Sequence, residues 1–401
     1  MRRFLLPLMF AGCGFSVTGG ASPGDGGVDA PSTIDGPESP IDAPMIDAPP
    51  VIPPGPQVAH LSAADELALT SDVDYTLGGN TVTIDTTAGT ITPAPPTGVV
   101  VHMAQQEGGG LALLVVQARN LRVSGGTTVR VTGMRGLVLV ATAELRVEGL
   151  IDASASGGTP GAGGYPASNG PGEGGDGIAA GGNYDTGAAG GSFGTRGGAG
   201  GPTSANVTAG PTGANPYGGP MLPMLFGGSG GGNSSPATCG AGGAGGGVVQ
   251  LTAPTIVISG VVRANGGGGQ GGRECLMGEA GSGAGGGSGG AIFVEATVLD
   301  GAGGLYATGG GGGGGGCASC IGSGQGGNGG NGRSDGVAAG GGSSPLSFPL
   351  GVGGDGALTG NGQIGNEGGN AGGGGGGAGR IVYAIPAAEA VTLSSIPTAV
   401  R

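Results

Sequence analysis

A chain of 401 residues could hold two or three ordinary domains, but 109 glycines leave few side chains with which to build their cores. Every basic residue is arginine, lysine and tryptophan are absent, and the formal net charge is −13. That balance speaks against a nucleic-acid partner, because phosphate binding needs clustered cations, and against direct adhesion of the polypeptide to an anionic membrane.

The first twelve residues read as an export signal: Arg2 and Arg3, an apolar run from Phe4 to Phe10, then small residues ahead of Cys13. The apolar run is far below the roughly 20 residues a membrane-spanning helix needs. The arrangement resembles a bacterial lipoprotein signal, although Phe10 stands where that pattern usually has Leu. The resemblance implies that Cys13 is acylated and becomes the first residue of the mature chain. Gly14 in place of Asp implies sorting to the outer membrane or cell surface.

Residues 13–57 then read as a tether. Asp29-Ala-Pro, Asp42-Ala-Pro and Asp47-Ala-Pro recur, with Asp35-Gly-Pro between them. Regular proline favours extended backbone, like charges repel along it, and no core can form.

Order is expected from Val58. Ser62 is placed as the N-cap of a short helix within Leu61-SAADELALT, with Asp65 and Glu66 in its first turn. Tyr75-TLGGNTVTIDTTAGTIT, Val99-VVHM and Leu111-ALLVV carry strand chemistry. Leu121-RVSG and Leu145-RVEG repeat at a separation of 24, with Leu121/Val123, Val129/Val131, Val138/Val140 and Leu145/Val147 expected to point inward.

The block Gly136-LVLVATAELRVEGLIDASASGG returns 111 residues later as Gly247-VVQLTAPTIVISGVVRANGG. After another 43 residues it appears as Gly290-AIFVEATVLDGAGGLYATGG, and Gly379-RIVYAI is a last partial copy. Stacked repeats of this kind imply an all-β fold, a parallel β-helix solenoid. Residues 58–153 would form its cap and first coils. Residues 154–401 would be coils interrupted by glycine-rich insertions near 154–244, 265–288 and 308–377, either disordered or packed side by side in a polyproline-II-like manner.

Together the signal, the Asp-Ala-Pro tether and the closing Gly372-GGGGGAGRI block resemble glycine-rich surface lipoproteins of gliding and predatory bacteria. The tracts are also similar to glycine-rich domains of mycobacterial surface proteins and to the polyglycine sandwiches of phage adhesins. These resemblances imply location and architecture and carry no activity.

Cys239, Cys275, Cys317 and Cys320 all lie in glycine insertions, and an exported chain meets an oxidising environment. Disulfides are favoured: Cys239–Cys275 with Cys317–Cys320, or Cys275 with one of the latter pair. A zinc site on Cys317 and Cys320 is the alternative. Gly172, Gly174, Asp176 and Ile178 match part of a calcium-binding nonapeptide, but only once in the chain. In the repeat register Asp152, Arg263 and Tyr306 occupy one outward row, an ion pair followed by a cation–π contact. His60 and His102 lie outside the repeated blocks and are read as structural.

A sugar-cleaving groove would show paired carboxylates beside aromatic platforms, and aromatics are scarce here. The expectation is therefore a non-enzymatic, lipid-anchored surface scaffold without cofactor, meeting extracellular polysaccharide or a neighbouring cell surface. The alternatives are a polysaccharide lyase or hydrolase of the β-helix class and a calcium-dependent adhesin.

Overall fold

The structure is a computed structural model that describes residues 58–106, 108–180, 184–204, 208–276, 279–317, 324–345, 351–387 and 391–401. The chain divides into units Met1–Val51 and Ile52–Arg401, and every described residue belongs to the second. Cys13, the tether and Cys320 lie outside the described residues.

In chain order the elements begin with α1 (Ala63–Leu67), β1 (Tyr75–Leu77), β2 (Thr81–Asp85), β3 (Thr90–Thr92) and β4 (Val100–Gln105). They continue with β5 (Ala112–Val123), β6 (Thr128–Thr132), β7 (Gly136–Val147), β8 (Leu150–Asp152), β9 (Val248–Ile258) and β10 (Val261–Arg263). A 3-10 turn at Ala237–Cys239 precedes β9. Last come β11 (Glu274–Leu276), β12 (Glu279–Ala280), β13 (Ala291–Asp300), β14 (Gly304–Tyr306), β15 (Arg380–Ala384) and β16 (Ser394–Ile396). The helix is capped as its sequence requires: Ser62 Oγ accepts the Asp65 N–H.

Two open sheets enclose one apolar core. The first runs β1-β5-β7-β9-β13-β15, and β4 lies antiparallel against β5. The second runs β16-β14-β10-β8-β6-β2-β3 and ends in the antiparallel β2–β3 pair. Strand β11 pairs with β12 apart from both. Between the sheets, Leu121, Leu137, Leu139, Leu145, Ile151, Leu251, Ile292 and Leu305 are all buried in one cluster. Burying each such side chain contributes roughly 1.5–3 kcal/mol, which is what holds the sheets together.

This corrects the expected all-β parallel β-helix. Both sheets are open and mixed, each carrying an antiparallel strand, and helical turns accompany them. The physical reason lies in the chain path. The 24-residue spacing of Leu121 and Leu145 is a true register, since the two pair directly on β5 and β7. It does not propagate, because β8 and β9 are separated by a long excursion that leaves the sheets. A second correction concerns Val138 and Val140. They are buried, but on the opposite face of β7 from Leu137 and Leu139, in a second cluster with Val58, Leu61, Phe193, Leu222 and Phe293. The first half of β7 is covered on both faces, so burial there does not alternate.

The excursions carry the glycine tracts, and these hydrogen-bond with a period of three. Along 281–290, the N–H groups of Gly281, Ala284, Gly287 and Gly290 donate to Arg273, Gln270, Gly267 and Ala264. Those of Ser282, Gly285 and Ser288 donate to Ser235, Gly232 and Ser229. Those of Gly283, Gly286 and Gly289 donate to Ala371, Gly374 and Gly377. Three neighbours thus satisfy three faces of one rod. Tract 309–316 repeats the scheme against 281–287, 351–357 and 327–330. Three residues per turn is the period of a polyproline II helix, which has no internal hydrogen bonds and must find partners elsewhere.

No residue of these two tracts has a left-handed φ, so glycine is required here for space and not for its torsional range. A methyl group on Gly286 would collide with the Gly310 carbonyl, and one on Gly283 with that of Gly313. Side chains are admitted where a tract meets solvent or an unpaired donor. Asn328 and Asn331, three apart, accept the N–H groups of Gly271 and Gly268.

Candidate functional site

The residues singled out from sequence are scattered. Asp152 and Arg263 face one another on β8 and β10, and Arg263 Nη2 donates to Asp152 Oδ2 at 2.8 Å. Burial alone would raise the Asp152 carboxyl, but the Arg263 hydrogen bond and charge hold it below its ordinary value. Tyr306 is opposite Arg263 in register, yet its ring lies over Gly304 on its own strand. Among the described residues the cation–π contact is instead Arg380 over Phe193, at 5.7 Å. The row is therefore an ion pair without its aromatic third member.

Cys239 and Cys275 are joined in a disulfide that spans 36 residues. It ties two neighbouring tracts that also meet through Arg273 N–H to Cys239 O. Cys317 is disulfide-bonded as well. Asp176 is engaged from within the protein: its Oδ1 accepts the Asn233 N–H and the Ser168 hydroxyl. Ile178, an inward position in a calcium nonapeptide, is exposed. His60 reaches Gln250 Oε1 and the Leu222 carbonyl, while His102 pairs with Asp65 at 2.8 Å.

The feature with the most concentrated side-chain chemistry was missed as a site. On the outer face of the first sheet a cleft of about 430 Å³ opens across β1, β5 and β7. A register shift between Ala118 and Asn120, and another between Val140 and Glu144, mark where the buried half of these strands gives way to the exposed half. Beyond that point two outward rows cross the strands. One sets Thr76, Arg122, Arg146 and Val257 side by side; the other sets Asn120, Glu144, Thr255 and Val298 side by side.

Every carboxylate in the cleft has an arginine partner. Arg119 grips Asp74 with two bonds, Nε to Oδ1 at 2.9 Å and Nη2 to Oδ2 at 3.0 Å, and Asn120 adds a third. Arg122 reaches Glu148 Oε2 through Nη2 at 2.6 Å, and Arg146 Nε reaches Glu144 Oε1 at 2.8 Å. The Arg119 hydrogen bonds hold Asp74 below its ordinary value, and those of Arg122 do the same for Glu148. Arg119 and Arg146 are raised in turn by Asp74 and Glu144. Such a cleft presents fixed charge of both signs and many hydrogen-bonding groups. Asp74 and Glu148, held ionised, are not poised to give up a proton. The signal available in the sequence was the Leu-Arg-Val repeat itself, which supplies Arg122 and Arg146; their acidic partners Glu148 and Glu144 lie within and directly before its second copy.

Among the described residues no group of three His, Cys, Asp or Glu side chains could hold a metal ion, and no helix is long and apolar enough to cross a membrane. No family model, curated protein or solved structure matches the chain.

Proposed function

We propose that the chain is an exported, lipid-anchored surface scaffold, structural or adhesive in role, and not an enzyme. The observation that carries this reading is the glycine packing. The chain devotes its tracts to rods whose backbone groups saturate one another on three faces, leaving little room for catalytic side chains. The result is a body stiffened by backbone hydrogen bonds, suited to display. The Cys13 signal and the Asp-Ala-Pro tether support attachment to a lipid bilayer, with the folded unit held away from it. Against the polysaccharide-cleaving alternative stands the cleft chemistry, in which Asp74 and Glu148 are held ionised by Arg119 and Arg122.

Metabolic labelling with an alkyne-tagged palmitate in a bacterium expressing the full chain tests the anchor. Label is expected in the wild type and none in Cys13→Ala; equal labelling of both would overturn it. Protease shaving of intact cells then tests display, since a surface scaffold must be released into the medium.

A further inference from the structure

We infer that the cleft across β1, β5 and β7 is a binding site for an acidic, uronate-bearing polysaccharide. This deepens the adhesive reading above and rests on it. Three observations lead there. The first is concentration: the chain has 13 arginines in all, two of which, Arg122 and Arg146, line one concavity, while Arg119 is bonded to Asp74 in its lining. Stability does not explain this, because ion pairs this exposed to solvent contribute little to it.

The second is unused valence. Arg146 spends only Nε on Glu144, so the Nη1/Nη2 edge of its guanidinium is without a partner among the described residues. Arg122 uses Nε and Nη2 on a single Glu148 oxygen and leaves Nη1. That free edge of Arg146 is the fork that takes a planar carboxylate with two parallel bonds.

The third is the repeat of the rows. Parallel neighbours stand about 4.8 Å apart, so the two arginines form a short rail beside a second rail of Asn120, Glu144 and Thr255. A linear sugar chain laid along them meets guanidinium on one side and hydroxyl partners on the other. The exposed methyl groups of Val298 continue the second rail with an apolar surface for a ring face. The lining carries Asp74, Glu144 and Glu148 with Arg122 and Arg146, and Arg119 is bonded to Asp74, so each carboxylate that an anionic polymer would meet is already ion-paired.

The test is affinity electrophoresis and titration calorimetry of the full chain with polygalacturonate, using dextran as the neutral control. Wild type is expected to bind polygalacturonate, more weakly as salt rises, and not to bind dextran. Arg146→Gln should weaken binding about tenfold or more, and Arg146→Lys, which keeps the charge but loses the fork, by less. Arg333→Gln, outside the cleft, should bind as wild type. Circular dichroism and thermal melting of each variant separate lost contact from lost fold. Equal binding by wild type and a folded Arg146→Gln, equal binding of dextran, or no binding of polygalacturonate would each overturn the assignment. Acylation at Cys13 is measured separately, so failure here leaves the anchored-scaffold reading to stand or fall on its own result.

Discussion

The sheet core and the glycine packing solve one problem by opposite means. Between the sheets, Leu137, Leu139, Leu145 and Ile292 are fully buried, and cohesion comes from the apolar surface they remove from water. In the tracts, Gly309 to Gly316 are equally buried with no side chain at all. Cohesion there comes from backbone groups that no longer need water. The core is damaged by taking atoms away, and the tracts by putting atoms in. Glycine also loses the most conformational freedom on ordering, so the tracts need every face satisfied to hold their shape.

The largest expected effect is on the core side. Leu139→Ala should lower unfolding free energy by about 2–5 kcal/mol in urea titration, through lost burial and a residual cavity. A loss under about 1 kcal/mol would mean that the sheets are not the main source of stability. Next is the staple between tracts. Replacing both Cys239 and Cys275 by Ser opens a 36-residue loop and should cost about 2–4 kcal/mol. No change in the denaturation midpoint would show that the hydrogen-bonded rods hold without a crosslink.

The most direct contrast is Gly286→Ala, which adds one methyl group against the Gly310 carbonyl and should cost about 1–3 kcal/mol. Gly340→Ala is its partner experiment. Gly340 is exposed, its added methyl group meets nothing, and the substitution should leave stability level or raise it by about 0.4–1 kcal/mol. If both variants melt alike, space is not what selects glycine in the tracts.

What could be read from the sequence divides along the same line. Side-chain patterns carried register: Ala153, Ala264 and Ala307 do follow matched strands, and Asp152 does face Arg263. Ser62 does cap its helix, because capping is decided within a few residues. Spacing says which strands pair but not where the chain travels between them, so the same pattern fits both solenoid coils and the open mixed sheets that form. A glycine tract offers no side-chain pattern, and its partners are chosen by backbone geometry that only the assembled tracts define. The cleft was half legible. Arg122 and Arg146 stood out as a repeat, but Asp74 and Arg119 are 45 residues apart and meet only through the pairing of β1 with β5.

The smallest expected effect is on pH dependence, and it too should fall on the side-chain region alone. Tracts 281–290 and 309–316 contain no titratable side chain. Two half-buried carboxyls in the sheets act in opposite senses. Burial raises Glu295 above its ordinary 4.5, although it accepts the Ala59 N–H at 3.0 Å and the Thr252 hydroxyl at 3.1 Å. A raised group favours folding when protonated, so its contribution is full below pH 4.5 and is lost as pH rises through the folded value. Asp152 is lowered below its ordinary 3.8, so its contribution is present above pH 3.8 and is lost as pH falls through the folded value. Stability should therefore peak in mild acid, falling on the low side through Asp152 and its like and on the high side through Glu295. Glu295→Gln should flatten only the slope above pH 4.5, and Asp152→Asn only the slope below 3.8, in melting curves taken across both windows. A slope above pH 4.5 that survives in Glu295→Gln would place the titrating group elsewhere.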